Sequence, residues 1–182
     1  MGLFGEPLKS PAYHVAGDEV ATFVTSKGIV RVRLDGEGAP IHVANFCELA
    51  ESGFYDGTKF HRYVPGFVVQ GGDPNTRRMT PADVAAGKIG PDGRPGTGGP
   101  GYRIREEFTT NPHNSHDDGA LAMARSQDPN SAGSQFYFCL GAQHGLDSGY
   151  TVFGKTIQGF EVIGSLRSGD VIESITIEHA EA

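Results

Sequence analysis

The chain has 182 residues, a length expected to form one domain, and a chain of this size buries about 70% of its unfolded surface, so it can build a core without metal or disulfide support. Its 15 Lys and Arg against 22 Asp and Glu give a formal charge of −7, which argues against a general binder of nucleic acid or anionic membrane, whose affinity rests on clustered cations. Cys47 and Cys139 lie far apart in a helical and a strand pattern, form neither a disulfide framework nor a CxxC pair, and read as buried free thiols.

Residues 1–17 show no periodicity and are expected to form an extended arm ahead of a domain spanning 18–182. Met1 to Pro7 carry no basic or apolar targeting pattern, Glu6 stands where a myristoylation signal has Ser or Thr, and no apolar run approaches the ~18 residues of a membrane span. A cytoplasmic, membrane-free protein is expected.

Val20–Thr25 and Ile29–Leu34 read as strands joined at Ser26-Lys27-Gly28, the second alternating Val30, Val32 and Leu34 with Arg31 and Arg33. Pro40 suits a first helical turn, and Val43, Phe46, Cys47 and Ala50 recur at helical spacing, predicting a helix over Pro40–Ser52. Further strands are predicted at Lys59–Arg62, Val68–Gly71, Leu121–Ala124, Gln135–Cys139, Val152–Lys155 and Ile172–Glu178, with a second helix at Phe160–Leu166. Between Asn75 and Pro95 the chain is rich in Gly and Pro, yet Thr80-Pro81-Ala82-Asp83 has the order of an N-cap, a Pro at N1 and an acidic N3, so Pro81–Ala86 can form a short helix there. Many short strands, abundant Gly and two principal helices indicate an all-β fold with helical caps.

The most informative stretch is Phe60-His61-Arg62-Tyr63-Val64-Pro65-Gly66-Phe67-Val68-Val69-Gln70-Gly71-Gly72-Asp73, two apolar runs around a Pro-Gly turn, each with a strong hydrogen-bonding side chain. Alternation places Phe60 with Arg62 on one face, and Val68 with Gln70 on one face, predicting a groove with an apolar floor and a cationic wall.

Three other patterns carry less. Gly96, Gly98 and Gly101 spell G-x-G-x-x-G, but no buried strand precedes them and no helix follows, which speaks against phosphate binding. His113 and His116 form an H-x-x-H in an Asn-, Pro- and Asp-rich turn that reads as a solvated loop rather than a metal site. Ser134 lacks the strand-to-helix elbow of a hydrolase nucleophile. No cofactor or metal is expected.

The Phe60–Asp73 stretch, together with Met123-Ala124-Arg125 and Asn130-Ser131-Ala132-Gly133-Ser134-Gln135-Phe136-Tyr137-Phe138, resembles the signature of the cyclophilins, the cyclosporin-type peptidyl-prolyl isomerases. Asn45-Phe46, Phe54-Tyr55-Asp56-Gly57, Gly96 to Tyr102 and Gly149 to Lys155 extend the likeness over Val20 to Ile177, and Asn75–Pro95 looks like an insertion relative to short bacterial cytoplasmic members. The insertion reads either as a surface loop or as a rim that filters peptides.

The resemblance implies a closed eight-stranded antiparallel β-barrel with two α-helices, and catalysis of Xaa-Pro cis-trans isomerisation in protein folding. It implies Arg62 as the catalytic arginine, Gln70 as its partner in contacting and orienting substrate, and His61, adjoining the pocket, as the third residue of the catalytic set. Phe67, Val68, Tyr137 and Leu146 would hold the proline, Ala124, Arg125 and Gln135 would line the groove, Gly96 and Thr97 the neighbouring subsite, and Tyr150 the rim. Partners would be proline-containing peptides and protein clients, met by a monomer. Many family members carry Met, Phe, Asn and Trp where this chain has Val68, Tyr137, Arg125 and Gly145; the missing Trp implies weak cyclosporin binding. The other function class is a non-catalytic module or chaperone that binds proline peptides in the same groove, although such a module has no evident use for Arg62.

Overall fold

A computed structural model of the chain describes residues 5–180. Of the predicted arm, residues 1–4 therefore lie outside the described residues. The rest of the arm is docked: Leu8 bridges Arg103 in parallel, and the Lys9 N–H donates to the Arg103 carbonyl at 2.7 Å.

Eight strands form one sheet: β1 (Glu19–Thr25), β2 (Gly28–Leu34), β3 (Arg62–Val64), β4 (Val68–Gly71), β5 (Ala120–Met123), β6 (Phe136–Cys139), β7 (Val152–Gln158) and β8 (Ile172–His179). Their spatial order is β3-β4-β6-β5-β7-β2-β1-β8, and every pairing is antiparallel. Three helices accompany them: α1 (Pro40–Glu51), α2 (Pro81–Ala85) and α3 (Phe160–Ser165). The third helix, beyond the two implied, is α2 in the Asn75–Pro95 stretch, where the Thr80 side chain accepts the Asp83 N–H at 3.1 Å as the spacing predicts.

The sheet is an open, curled half-barrel and not the closed barrel implied by resemblance. Its edges, β3 and β8, share no ladder and are linked through the isolated Lys59–Val171 bridge and a few backbone hydrogen bonds, among them Phe60 N–H to Asp170 O and Ile172 N–H to Thr58 O. The reason is local. Residues 57–60 bond to residues 169–172, but from His61 onward the chain bonds to β4, so one short segment divides itself between two partners.

The same change of partner corrects two expectations: the strand runs over Arg62–Val64 instead of Lys59–Arg62, and Phe60 and Arg62 do not share a face. Phe60 is fully buried among the interior aromatics, while Arg62 is exposed on the outer surface. That interior holds Phe23, Phe46, Tyr55, Phe136, Phe138 and Phe153, with neighbouring ring centroids 5.2–5.9 Å apart, spacing at which aromatic pairs attract beyond their burial. Cys47 and Cys139 are both buried.

Candidate active groove

The site lies on the outer face of the sheet, opposite the aromatic core. Register aligns Arg62 with Gln70, Gln70 with Tyr137 and Tyr137 with Ala122, so side chains from β3, β4, β6 and β5 form one row across four strands. Because side chains alternate, Val68 and Cys139 extend the same outer face. Phe67, Ala124, Leu146 and Tyr150 pack over it, so β4, β5 and β6 are largely buried on both faces.

Arg62, Phe67, Val68, Gln70, Ala124, Arg125, Tyr137, Leu146 and Tyr150 enclose a cavity of about 210 Å³. Nine of the residues singled out from sequence thus meet around one concavity. Gly96, Thr97 and Gln135 border a neighbouring hollow of about 470 Å³, which shares Gln70, Ala124 and Arg125 with the first. His61 lines neither; its ring lies 3.6 Å from where a Gly96 side chain would begin, and its Nδ1 is buried without a hydrogen-bond partner.

An amide relay runs between the two hollows. Arg62 Nη1 donates to Gln70 Oε1 at 3.5 Å, Gln70 Nε2 to Gln135 Oε1 at 3.0 Å, and Gln135 Nε2 to the Gly98 carbonyl at 2.9 Å. The first contact is long, and among the described residues it is Arg62's one side-chain hydrogen bond, leaving most of a five-donor fork free over the cavity. Burial lowers the His61 pKa, with Arg62 acting in the same direction and Asp73 opposing, so its imidazole is held neutral.

The rim is fixed by Arg125, whose guanidinium donates to the carbonyls of Gly149, Ser126 and Gln127 and lies 4.7 Å from the Tyr150 ring centroid. Buried Asp73 organises the far wall by accepting the Gly96 and Gly98 N–H groups. A side chain on Gly98 would begin 2.2 Å from Asp73 Oδ1, which explains a glycine there without phosphate chemistry. No residue of the Asn75–Pro95 stretch borders either hollow and α2 packs on the turn at Gly169, but the Arg94 carbonyl accepts the Thr97 N–H and hydroxyl and Asn75 Nδ2 donates to Thr97 Oγ1, so the stretch supports the wall at Thr97.

Two participants escaped the sequence reading. His116, placed in a solvated loop, is fully buried; its Nδ1 bonds to Asp147 Oδ1 at 2.7 Å and its Nε2 to the Tyr137 hydroxyl at 2.9 Å. His113 does fit the solvated-loop expectation, being exposed and paired with Asp35. The two imidazoles of H-x-x-H thus take different partners. Nothing in the spacing marked Asp147, whose only sequence signal is its place directly after Leu146.

The model of the family described as cyclophilin type peptidyl-prolyl cis-trans isomerase/CLD matches residues 20–182. A peptidyl-prolyl cis-trans isomerase of Synechococcus elongatus is 41% identical over 86% of this chain and 94% of its own length. Peptidyl-prolyl cis-trans isomerase B of Bacillus subtilis is 41% identical over 82% of this chain and 90% of its own. Among solved structures, a Cryptosporidium parvum cyclophilin type peptidyl-prolyl cis-trans isomerase, crystallised in the presence of the dipeptide Ala-Pro, superposes with a TM-score of 0.72 at 29% identity, covering 88% of this chain and 99% of that one.

Proposed function

This chain belongs to the cyclophilin-type peptidyl-prolyl cis-trans isomerases, and on that premise we propose how its groove turns over Xaa-Pro bonds. Amide resonance sets a barrier of ~18–20 kcal/mol to rotation, and no bond is made or broken, so the groove has to favour the twisted amide over the planar one. The 210 Å³ cavity takes the proline ring against Phe67, Val68, Tyr137 and Leu146. As the amide twists, its nitrogen regains a lone pair and becomes an acceptor, and Arg62 donates to it. The contact exists only in the twisted state, so it speeds the reaction and not merely the binding.

Gln70 restrains the guanidinium and contacts substrate, while Gln135, Ala124, Gly96 and Thr97 receive the residues preceding proline. Neutral His61 lies against Gly96, close enough to Arg62 to feel its charge. Proline-containing peptides and protein clients are the substrates, and the chain works as a cytoplasmic monomer.

The observation carrying this reading is an arginine, free of ion pairing among the described residues, at the mouth of a cavity of about 210 Å³ that Phe67, Val68, Tyr137 and Leu146 wall on their side. NMR exchange on a short Xaa-Pro peptide tests it. Arg62→Ala is expected to cut the catalysed exchange rate by about a hundredfold, the scale of losing one transition-state donor, while peptide affinity changes little. Equal rates in the two proteins would remove Arg62 from the mechanism, and peptide affinity without exchange in the wild type would leave only a binding module.

A further inference from the structure

From the chain Asp147–His116–Tyr137 beneath the groove, we propose that the buried His116–Asp147 pair is a positioning device that holds the Tyr137 ring as the floor of the proline pocket. The inference rests on the pocket reading above. Asp147 Oδ1 accepts both the His116 backbone N–H and its Nδ1–H, each at 2.7 Å. That fixes the tautomer: the proton sits on Nδ1, Nε2 presents a lone pair, and the Tyr137 O–H donates to it at 2.9 Å.

The His116 and Tyr137 ring planes are nearly parallel, 13° apart with centroids 5.9 Å apart, so the imidazole meets the phenol end-on through this hydrogen bond, and Tyr150 closes against Tyr137 edge-on at 6.1 Å between centroids. Tyr137 is therefore held at its hydroxyl by His116 and at its ring by Tyr150. Its one polar atom is satisfied on the side away from the proline, so the floor offers substrate an apolar surface. Asp147 follows Leu146 on the same turn, so the carboxylate that orients His116 also ties down the residue forming the opposite wall.

The charged and titratable surroundings are Asp147 and His144 on the turn, Asp117 beside His116, Lys155 of β7 bound to Asp117 at 3.1 Å, and Tyr137 and Cys139 on β6. Burial lowers the His116 pKa and His144 adds to the effect, while Asp147 and Asp117 oppose it. Protonating His116 would replace the acceptor for Tyr137 with a donor and leave the phenolic proton without its partner.

The test is a double-mutant cycle read as KM and kcat, with a pH profile. His116→Phe leaves the Tyr137 hydroxyl buried without an acceptor and is expected to raise KM about tenfold with kcat nearly unchanged, the mark of lost uniform binding. Adding Tyr137→Phe removes the orphaned hydroxyl and is expected to recover most of that loss. Wild-type kcat/KM should decline on the acid side as His116 protonates, and this limb should vanish in Tyr137→Phe. Additive losses in the cycle, or an unchanged acid limb in Tyr137→Phe, would overturn the proposal; if His116→Phe does not fold, the pH comparison decides alone. A wild type that does not catalyse exchange would instead refute the pocket reading.

Discussion

At the scale of single residues, what the chain lacks can be as decisive as what it carries. Gly145 adjoins the pocket wall at Leu146, its backbone is not left-handed, and no atom lies within 4 Å of where a side chain would begin. A side chain introduced there begins without backbone strain or collision at its Cβ, and a Trp would supply the ring edge and indole donor that the resemblance associates with cyclosporin-sensitive members. Gly145→Trp is therefore expected to raise cyclosporin affinity at least ~tenfold by calorimetry, consistent with one aromatic anchor and one hydrogen bond. No gain would show that the glycine does not set the affinity for cyclosporin. Gly98 is the opposite case, since its missing side chain makes room for the Asp73 carboxylate. Arg62, Gln70 and Tyr137 were legible in the sequence because their stretches resemble the cyclophilin signature, and the structure brings all three to one concavity. Asp147 and His116 were not, because their meeting depends on how two loops fold together, and no periodicity encodes that.

At the scale of elements, α1 shows why boundaries are easier to read than their supports. Pro40 and the helical spacing located the helix to within a residue, yet its N-cap, Ala39, has no side chain able to cap. The capping comes from Glu107, far along the chain and almost fully buried, which accepts the N–H groups of Ile41 at 3.1 Å and His42 at 2.8 Å as well as His42 Nδ1 at 2.7 Å. A carboxylate at a helix N-terminus also meets the positive end of the helix dipole. Glu107→Ala leaves two amides and an imidazole without partners in the interior and should cost about 2–4 kcal/mol in urea unfolding. Glu107→Gln, which keeps one acceptor oxygen, should cost less; equal losses would assign the effect to packing. The β3 error has a related origin. Phe60-His61-Arg62 looks like one alternating run, but pairing to two different segments turns Phe60 inward and Arg62 outward, and alternation alone does not reveal where a strand changes partner.

At the scale of the whole molecule, two imidazoles lie under the groove, and both are held neutral mainly by burial: His61 beside Arg62, and His116 against Tyr137. In the unfolded chain each titrates at its ordinary value near ~6.5, and in the folded chain at a lower one. Between those values the unfolded state binds more protons, so their contribution is complete above pH ~6.5 and is lost as pH falls through that point toward the folded values. His179 acts in the opposite sense. Its hydrogen bond to Asp18 raises its pKa, so its contribution is present below ~6.5 and lost as pH rises past the folded value, but it is exposed and screened. The buried pair therefore sets the balance, and the urea midpoint should fall from pH ~7 to ~5, well before carboxylate protonation. Glu19 and Asp147, whose pKa values are lowered because hydrogen bonds outweigh burial, withdraw their stabilisation only at still lower pH. Unfolding curves at pH 7, 6 and 5 for wild type and His116→Phe separate the contributions: the variant's slope should be shallower by the share of His116. A midpoint independent of pH over that span would mean that the folded chain accepts protons beneath the groove as readily as the unfolded one. An acid decline in catalysis could then not be ascribed to a general loss of the fold, and would have to arise in the pocket itself.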